Sequence, residues 1–496
     1  ESLNKHEVTA EAPKNLITVE TSRITPELLP LIDITQDDID SIVNRVEGGV
    51  ANIQDIYALS PLQEGILFHH TMATVGDLYL ISTQLSFDDR ATLDRYLDAM
   101  QKVIDRHDIL RTAFMWENLS TPAQVVLRHA TLSVTELKLD PSDGPITDQI
   151  AMLADPKQHR IDLALAPLIR YMIAQDIDGK WAVVELNHHL ISDHSTLEIM
   201  QDEIKLFMND QAHQLLEPEQ FRKLIAHVKA GPSPEVYKSF FTEMLGDIDT
   251  PALPYGLSSV HEDGHDVSES FIMLPQNLND RLRGHAQRIG VSLASMCHLA
   301  WAQVISKTSG QEKVVFGTVL FGRLQGGSGS DRAMGMFINT LPLRIDVGDR
   351  SVEDSVRKTQ ADLAALLEHE HASLAMAQRC SSVTPSTPLF SSLLNYRHNS
   401  EQSTQASDNN GFKFISAQER TNYPFTISVE DGGNTLGLTA QTVKQFDPTQ
   451  LCEYMQMALE SLADALDHSP GMQVRKLEVL PSLERELLLR SWNATE

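Results

Sequence analysis

Along this chain, apolar residues recur at helical spacing in some stretches and run together in others, with polar breaker clusters between. Residues 1–30 show neither pattern and read as a linker. From Thr35 the pattern turns helical. Ile39, Ile42, Val43 and Val46 form one apolar stripe behind an N-cap threonine and Asp38, and Gly48-Gly49 ends it. Ser60-Pro61-Leu62-Gln63 joins an N-cap serine, a proline at the first helical position and a glutamine at the capping-box position, which predicts a helix through Met72. Leu93, Tyr96, Leu97, Met100, Val103 and Ile104 share one face of a longer helix leading into Arg106–Phe114, whose end has strand character. Trp181–Asn187 predicts a buried strand that runs into His188-His189-Leu190-Ile191-Ser192-Asp193-His194. Ser195 is the expected cap of the next helix, with Glu198 closing the box and Met200, Ile204 and Phe207 facing inward. Gly231-Pro232-Ser233-Pro234 is a breaker cluster suited to a domain joint.

The second half alternates in the same way, as two related lobes would. Leu278–Ile289 and Ser292–Lys307 predict helices, Val314–Leu320 a strand, residues 324–332 a Gly/Ser loop, and residues 399–411 a polar surface loop. Met334–Thr340 predicts a buried strand, and Tyr57 and Tyr423 read as packing residues. No repeat at a fixed period appears.

Composition narrows the function classes. Lys plus Arg total 40 and Asp plus Glu total 68 in 496 residues, a formal charge of −28. That balance argues against a nucleic-acid surface and against docking on anionic membranes. No apolar run reaches the roughly 18–20 residues of a membrane span. Cys297, Cys380 and Cys452 are widely spaced, which points to a reducing, cytoplasmic setting. The chain begins at Glu1 rather than at methionine, as a piece of a larger protein would.

Candidate chemistry concentrates at His188, His189, Asp193 and His194, placed together on a strand-to-helix loop. A histidine there can act as a general base near neutral pH, with an aspartate orienting the loop through an arginine such as Arg323. A loop of satisfied polar side chains fits the same spacing. Zinc is the rival functional reading, but the pattern is not H-E-x-x-H and no third ligand is evident in the sequence. His69 and His70 point about 100° apart on a helix, so helix-end or surface roles suit them when taken alone. The Gly/Ser loop lacks a phosphate-binding pattern.

Taken in order, these segments resemble a condensation domain of a non-ribosomal peptide synthetase. Ser60–Gly65 resembles the family's SxxQxG-type opening, and Arg106–Phe114 its RHxxLRTxF motif. His188-His189-x-x-x-Asp193 resembles HHxxxDG, with His194 in place of the glycine. Met334–Thr340 resembles IGxFVNT, with Met334 first and Ile338 for valine. His69-His70 through Gly76-Asp77 resembles the extra HHxxxxxGD-like motif of dual epimerization/condensation domains, with Thr71 where the consensus prefers Ile or Leu. Phe240–Leu257 is also similar to the dual type. No EGHGRE-like motif of a stand-alone epimerization domain is present, and the histidine pair is not replaced by aspartates as in heterocyclization domains.

The resemblance implies an α/β (α+β) fold of two chloramphenicol-acetyltransferase-like lobes in a V-shaped pseudo-dimer, with the active site at the lobe interface. It implies residues 1–48 as a linker from an upstream carrier domain, 49–230 and 231–481 as the two lobes, and 482–496 as a linker toward an adenylation domain. No bound cofactor is implied, and no metal. Substrates would arrive tethered to phosphopantetheine on upstream and downstream peptidyl carrier domains, and the excised domain would be a monomer. By resemblance His189 carries the chemistry, while His188 and Asp193 support it. His69, His70 and Asp77 would be associated with epimerization, and Arg111, Arg323 and Asn339 with structural support. The activity implied is peptide-bond formation from two carrier-bound thioesters, preceded by inversion at the donor Cα. An ordinary condensation domain taking a D-configured donor, an inactive carrier-docking domain and, more distantly, a zinc hydrolase are the alternatives.

Overall fold

Capping chemistry fixes where the first helices start. In α1 (Gln36–Arg45) the Thr35 side chain accepts the Asp38 N–H while Asp38 grips the Thr35 backbone in return. The computed structural model describes residues 12–257, 267–322, 332–384, 387–398, 411–418 and 423–487. After β1 (Ile53–Ala58), α2 (Pro61–Met72) begins with a complete Ser60/Gln63 capping box. There follow β2 (Leu80–Phe87), α3 (Arg90–Arg106), β3 (Thr112–Met115), β4 (Ala123–Leu127), β5 (Ser133–Leu137) and α4 (Ile146–Leu153). Then come β6 (Ile169–Gln175), β7 (Trp181–His188), α5 (His194–Met208) and α6 (Arg222–Ala230). The chain continues through α7 (Pro234–Leu245), β8 (Val267–Met273), α8 (Gln276–Ile289), α9 (Leu293–Ser309), β9 (Lys313–Leu320) and β10 (Asn339–Asp346). It closes with α10 (Val352–Leu367), α11 (Leu374–Arg379), β11 (Ser392–His398), β12 (Phe412–Gln418), β13 (Phe425–Asp431), β14 (Leu436–Val443), α12 (Pro448–His468) and α13 (Ser482–Glu486).

These elements form an α/β fold of two compact units. Within the described residues, one comprises 12–231, 321–322, 332–338 and 411–418, and the other the remainder. The first unit carries a small sheet in the order β1-β4-β3 and a larger one in the order β12-β2-β7-β6-β5. Strand β12 lies far along the chain yet joins this unit, pairing antiparallel with β2, and Phe412 stacks on Phe87 with ring centroids 5.4 Å apart. Strand β7 sits inside the larger sheet, antiparallel to both β2 and β6, and every one of its residues is buried. It therefore reads as a nearly continuous apolar run, broken only by Glu185, Asn187 and His188. Helix α3 packs on α5, and Arg106 and His107 clamp Glu203 at 3.1 and 3.0 Å.

The second unit is built on one sheet in the order β10-β9-β11-β13-β14-β8. Strand β11 runs parallel to β9 and β13, and the other pairings are antiparallel. Its core is filled by α9, buried along most of its length, and by the apolar face of α12. Among the described residues no single helix is long and apolar enough to cross a membrane.

Three local expectations change. The stretch read as a linker packs into the first unit from Ile17 onward, where Ile17, Ile24, Leu29 and Ile32 fill a core with Ile39, Ile53 and Val125. Its apolar residues follow no regular period because the segment has little regular structure, yet these four find pockets, while Val19 stays exposed. Helix α5 is capped by Asp193, not Ser195: the Asp193 carboxylate accepts the Thr196 N–H at 2.8 Å, and a charge at a helix N-terminus gains from the peptide dipoles. The strand expected over 334–340 begins only at Asn339. Gly335 lies at φ +139°, and its N–H goes to the Thr196 hydroxyl instead of to a strand. The predicted loops at 324–332 and 399–411 fall, apart from their last residues, outside the described residues, as does residue Arg323.

A Cβ on Gly335 would lie 2.2 Å from the Phe221 ring, which is fully buried, and φ there excludes ordinary side chains. Gly284 sits on the exposed face of α8 with nothing within 4 Å of a Cβ. Gly335→Ala is expected to destabilise its unit by roughly 2–4 kcal/mol. Gly284→Ala is expected to stabilise its own by about 0.5–1 kcal/mol. Thermal melts of the two variants check both signs.

Candidate active site

The site grows from one constraint. Strand β7 ends in the interior, so the loop after it must satisfy its backbone polar groups without water. Gln63, in the first turn of α2, donates from Nε2 to Leu190 O at 2.9 Å, while its Oε1 accepts the Ser60 N–H at 2.9 Å. Gln124 pairs with the same buried amide. The His189 N–H goes to Tyr79 O at 2.8 Å. The Leu190 N–H goes to His188 Nδ1 at 3.1 Å, and His189 Nδ1 donates to Ser192 O at 3.1 Å.

These bonds set the tautomers. His188 Nδ1 accepts, so its Nε2 carries the proton and donates to Asp77 Oδ2 at 3.1 Å. His189 Nδ1 donates to a carbonyl, so in the neutral ring Nε2 carries the lone pair. Two adjacent histidines thus hold opposite tautomers.

The segment that ends α2 completes the arrangement. His70 Nδ1 lies 2.6 Å from the same Asp77 Oδ2, and the Tyr79 N–H reaches Asp77 Oδ1 at 3.0 Å. The His70 and His188 rings meet edge-to-face at 5.9 Å. Gly76 is required at its place: φ is +67°, and a Cβ would sit 2.4 Å from Lys157 O. Arg160 donates to His70 O at 2.6 Å and also to Ala73 O, tying down the helix end and the turn after it. Burial alone would push the Asp77 carboxyl up, but hydrogen bonds and charge from His188 and His70 outweigh it and hold it far below the usual carboxylate range. Burial pushes the His188 imidazole below its ordinary value against the pull of Asp77. Asp77 is therefore an ionised carboxylate held between two histidine rings.

His70, Asp77 and His188 also offer three ligand atoms close together, the third donor that the sequence did not reveal. A cation would have to strip the Nε2 proton from His188, and the displaced proton has no place at Nδ1, which already faces the Leu190 N–H. The donor set is built for hydrogen bonds. Burial raises the thiols of Cys297 and Cys452, the latter to about 11, which suits packing and not nucleophilic chemistry.

Asp193 links two sequence motifs. Its Oδ1 accepts the Thr196 hydroxyl at 2.8 Å, its Oδ2 the Phe337 N–H at 3.3 Å, and the Thr196 hydroxyl accepts the Gly335 N–H at 2.9 Å. The structure thus brings together His188, His189, Asp193, His70 and Asp77. His69 is half-buried, with its ring 6.0 Å from Tyr79. Arg111 lies apart from the histidines. It donates to Ile104 O at 3.1 Å, to Gln54 Oε1 at 3.0 Å and to Leu127 O, joining α3 to β1 and β4. Asn339, in the second unit, donates to Glu370 O and Ala372 O at 2.7 and 2.8 Å. Sequence reasoning did not single out Asn187, Ser192, Tyr79 or Arg160. Asn187 carried a signal, a polar residue in an otherwise apolar strand. Tyr79 acts through its backbone and carried none.

A histidine held at a buried strand end with its Nδ1 donating to a carbonyl is a side chain able to take up a proton at Nε2. The chain matches the model of the condensation domain family over residues 53–489 and belongs to that family. It is 61% identical over 495 residues to malpibaldin synthetase of Mortierella alpina, spanning 100% of this chain and 9% of that protein. It is 59% identical to malpinin synthetase of the same organism, of which it spans 6%. Bacitracin synthase 1 of Bacillus licheniformis is 23% identical over 96% of the chain, which spans 9% of that protein. The first condensation domain of the CDA synthetase shares the fold, with a TM-score of 0.66 at 15% identity over 86% of this chain and 99% of that one. The chain is thus a peptide-bond-forming condensation domain of the kind found in non-ribosomal peptide synthetases, and it spans under a tenth of the length of each of these three synthetases.

Asp77 is ionised in the fold with a depressed pKa and returns to about 3.9 on unfolding. Its contribution to stability is therefore in place above roughly pH 5 and is lost as pH falls further. Asp77→Asn is expected to lower stability near neutral pH by about 1–3 kcal/mol and to flatten the acid-side loss. Melting temperatures of both proteins between about pH 7 and pH 4 check this; parallel curves would contradict it.

Proposed function

We propose that this domain inverts the Cα of an L-configured aminoacyl or peptidyl thioester held by an upstream carrier and then joins it to an aminoacyl thioester on a downstream carrier. Both substrates ride on phosphopantetheine arms, and an adenylation domain works beside them. The observation that carries the dual reading is the His69–Asp77 segment seated on His188, with Asp77 bonded to both His70 and His188. A motif that ordinary condensation domains lack here shares buried hydrogen bonds with the active-site loop.

For amide formation, His189 Nε2 receives the proton of the attacking α-amine, whose unperturbed pKa is about 8. The amine nitrogen bonds to the thioester carbonyl carbon, the C–S bond breaks, and the departing thiolate takes the proton. Tethering both reactants supplies much of the rate through effective concentration. For inversion, the same nitrogen removes the Cα proton, and a proton returns to the opposite face of the enolate. The Asp77 charge beneath the loop favours the imidazolium that each step creates.

Reconstituted carriers loaded with an L-donor and an L-acceptor test the proposal by chiral analysis of the product. A D-L product is expected. An L-L product would leave an ordinary condensation domain, and a domain that makes no amide from any loaded donor would be a docking module. His189→Ala is expected to lower amide formation by about 10²–10⁴-fold. Asp77→Asn is expected to lower the D fraction more than the total amide yield.

A further inference from the structure

Two buried polar residues behind the loop belong to no motif. Asn187 is the penultimate residue of β7 and Ser192 precedes the α5 cap; they are 1% and 0% exposed. The Ser192 hydroxyl donates to Asn187 Oδ1 at 2.8 Å. The Ser192 carbonyl is the acceptor for His189 Nδ1. Behind Asn187, on the same face of β7, lies Glu185, whose carboxylate accepts the Tyr171 hydroxyl. An apolar pair would fill this space at lower cost, since a buried hydroxyl and amide are expensive unless their bonds serve.

We propose that Asn187 and Ser192 are positioning residues that act as a pair to aim the Ser192 carbonyl at His189 Nδ1, and so hold the neutral His189 ring in the tautomer whose Nε2 carries the lone pair. The hydroxyl–amide bond fixes the peptide unit after Ile191, and the carbonyl then fixes the imidazole. Without that acceptor a neutral imidazole shares its proton between both nitrogens, and only one form can take a proton at Nε2. The inference rests on His189 being the base, as set out above. Around this loop the titratable groups are His70 on α2, Asp77, Tyr171 on β6, Glu185 and His188 on β7, and Asp193. Asn187 and Ser192 are the neutral links between that set and His189.

The test is a double-mutant cycle with Ser192→Ala and Asn187→Leu in the reconstituted condensation assay, alongside His189→Ala. Each single variant is expected to lower kcat about 10- to 100-fold with the KM for the loaded carriers little changed. The double variant is expected to match the singles instead of multiplying them. Loss of an acceptor at Nδ1 disfavours the imidazolium, so the acid limb of the kcat/KM profile moves toward lower pH, by roughly half a unit to one unit. Multiplicative losses with an unmoved acid limb would overturn the pairing while leaving His189 as the base. Full activity in His189→Ala would instead overturn the reading on which it rests. Should Asn187→Leu fail to fold, Ser192→Ala alone decides through its acid limb.

Discussion

Everything in the active-site unit depends on a loop that must satisfy its own backbone away from water. From His188 to Asp193 the chain leaves a fully buried strand and enters a helix, and all of these residues are buried. Several of its backbone polar groups are answered by a particular side chain or carbonyl: Gln63 for Leu190 O, His188 for the Leu190 N–H, Tyr79 O for the His189 N–H. An unmet buried donor or acceptor costs about 1–3 kcal/mol, so these partners are a condition for the loop to exist at all. The tautomers of both histidines then follow as a by-product of satisfying the loop.

This explains why separate motifs occur in one chain. The SxxQxG opening places Gln63 in a helix first turn, where one amide caps the helix and holds the loop. The HHxxxxxGD segment places a carboxylate under His188, using a glycine where only a glycine fits. The IGxFVNT segment presents Gly335 and Phe337 amides to Thr196 and Asp193. Each of these three motifs supplies partners to the active-site loop or to the helix that follows it.

Much of this was legible, and the part that was not has physical causes. Helix starts at Thr35 and Ser60 were readable because capping is local chemistry. Strand β7 was readable because burial on both faces leaves an apolar run. The cap of α5 was misassigned because Asp193 and Ser195 are both good caps, and only the geometry of the loop selects between them. The burial of residues 17–32 was invisible because irregular segments fill pockets without a period. The depth of His70 was missed because helical spacing says which way a side chain points, not what lies there; Asp77, which accepts it, arrives from a turn made by Gly76. The charge of −28 bears on none of these contacts, which are settled by pairs of groups a few ångströms apart.

The central claim is that the loop holds its two neighbouring histidines neutral and in opposite tautomers. Nitrogen-15 NMR of histidine-labelled protein near neutral pH, with His188 and His189 assigned by single substitution, reads this directly. The account requires the proton on Nε2 of His188 and on Nδ1 of His189. The same tautomer at both positions, or a positively charged His188, would contradict it.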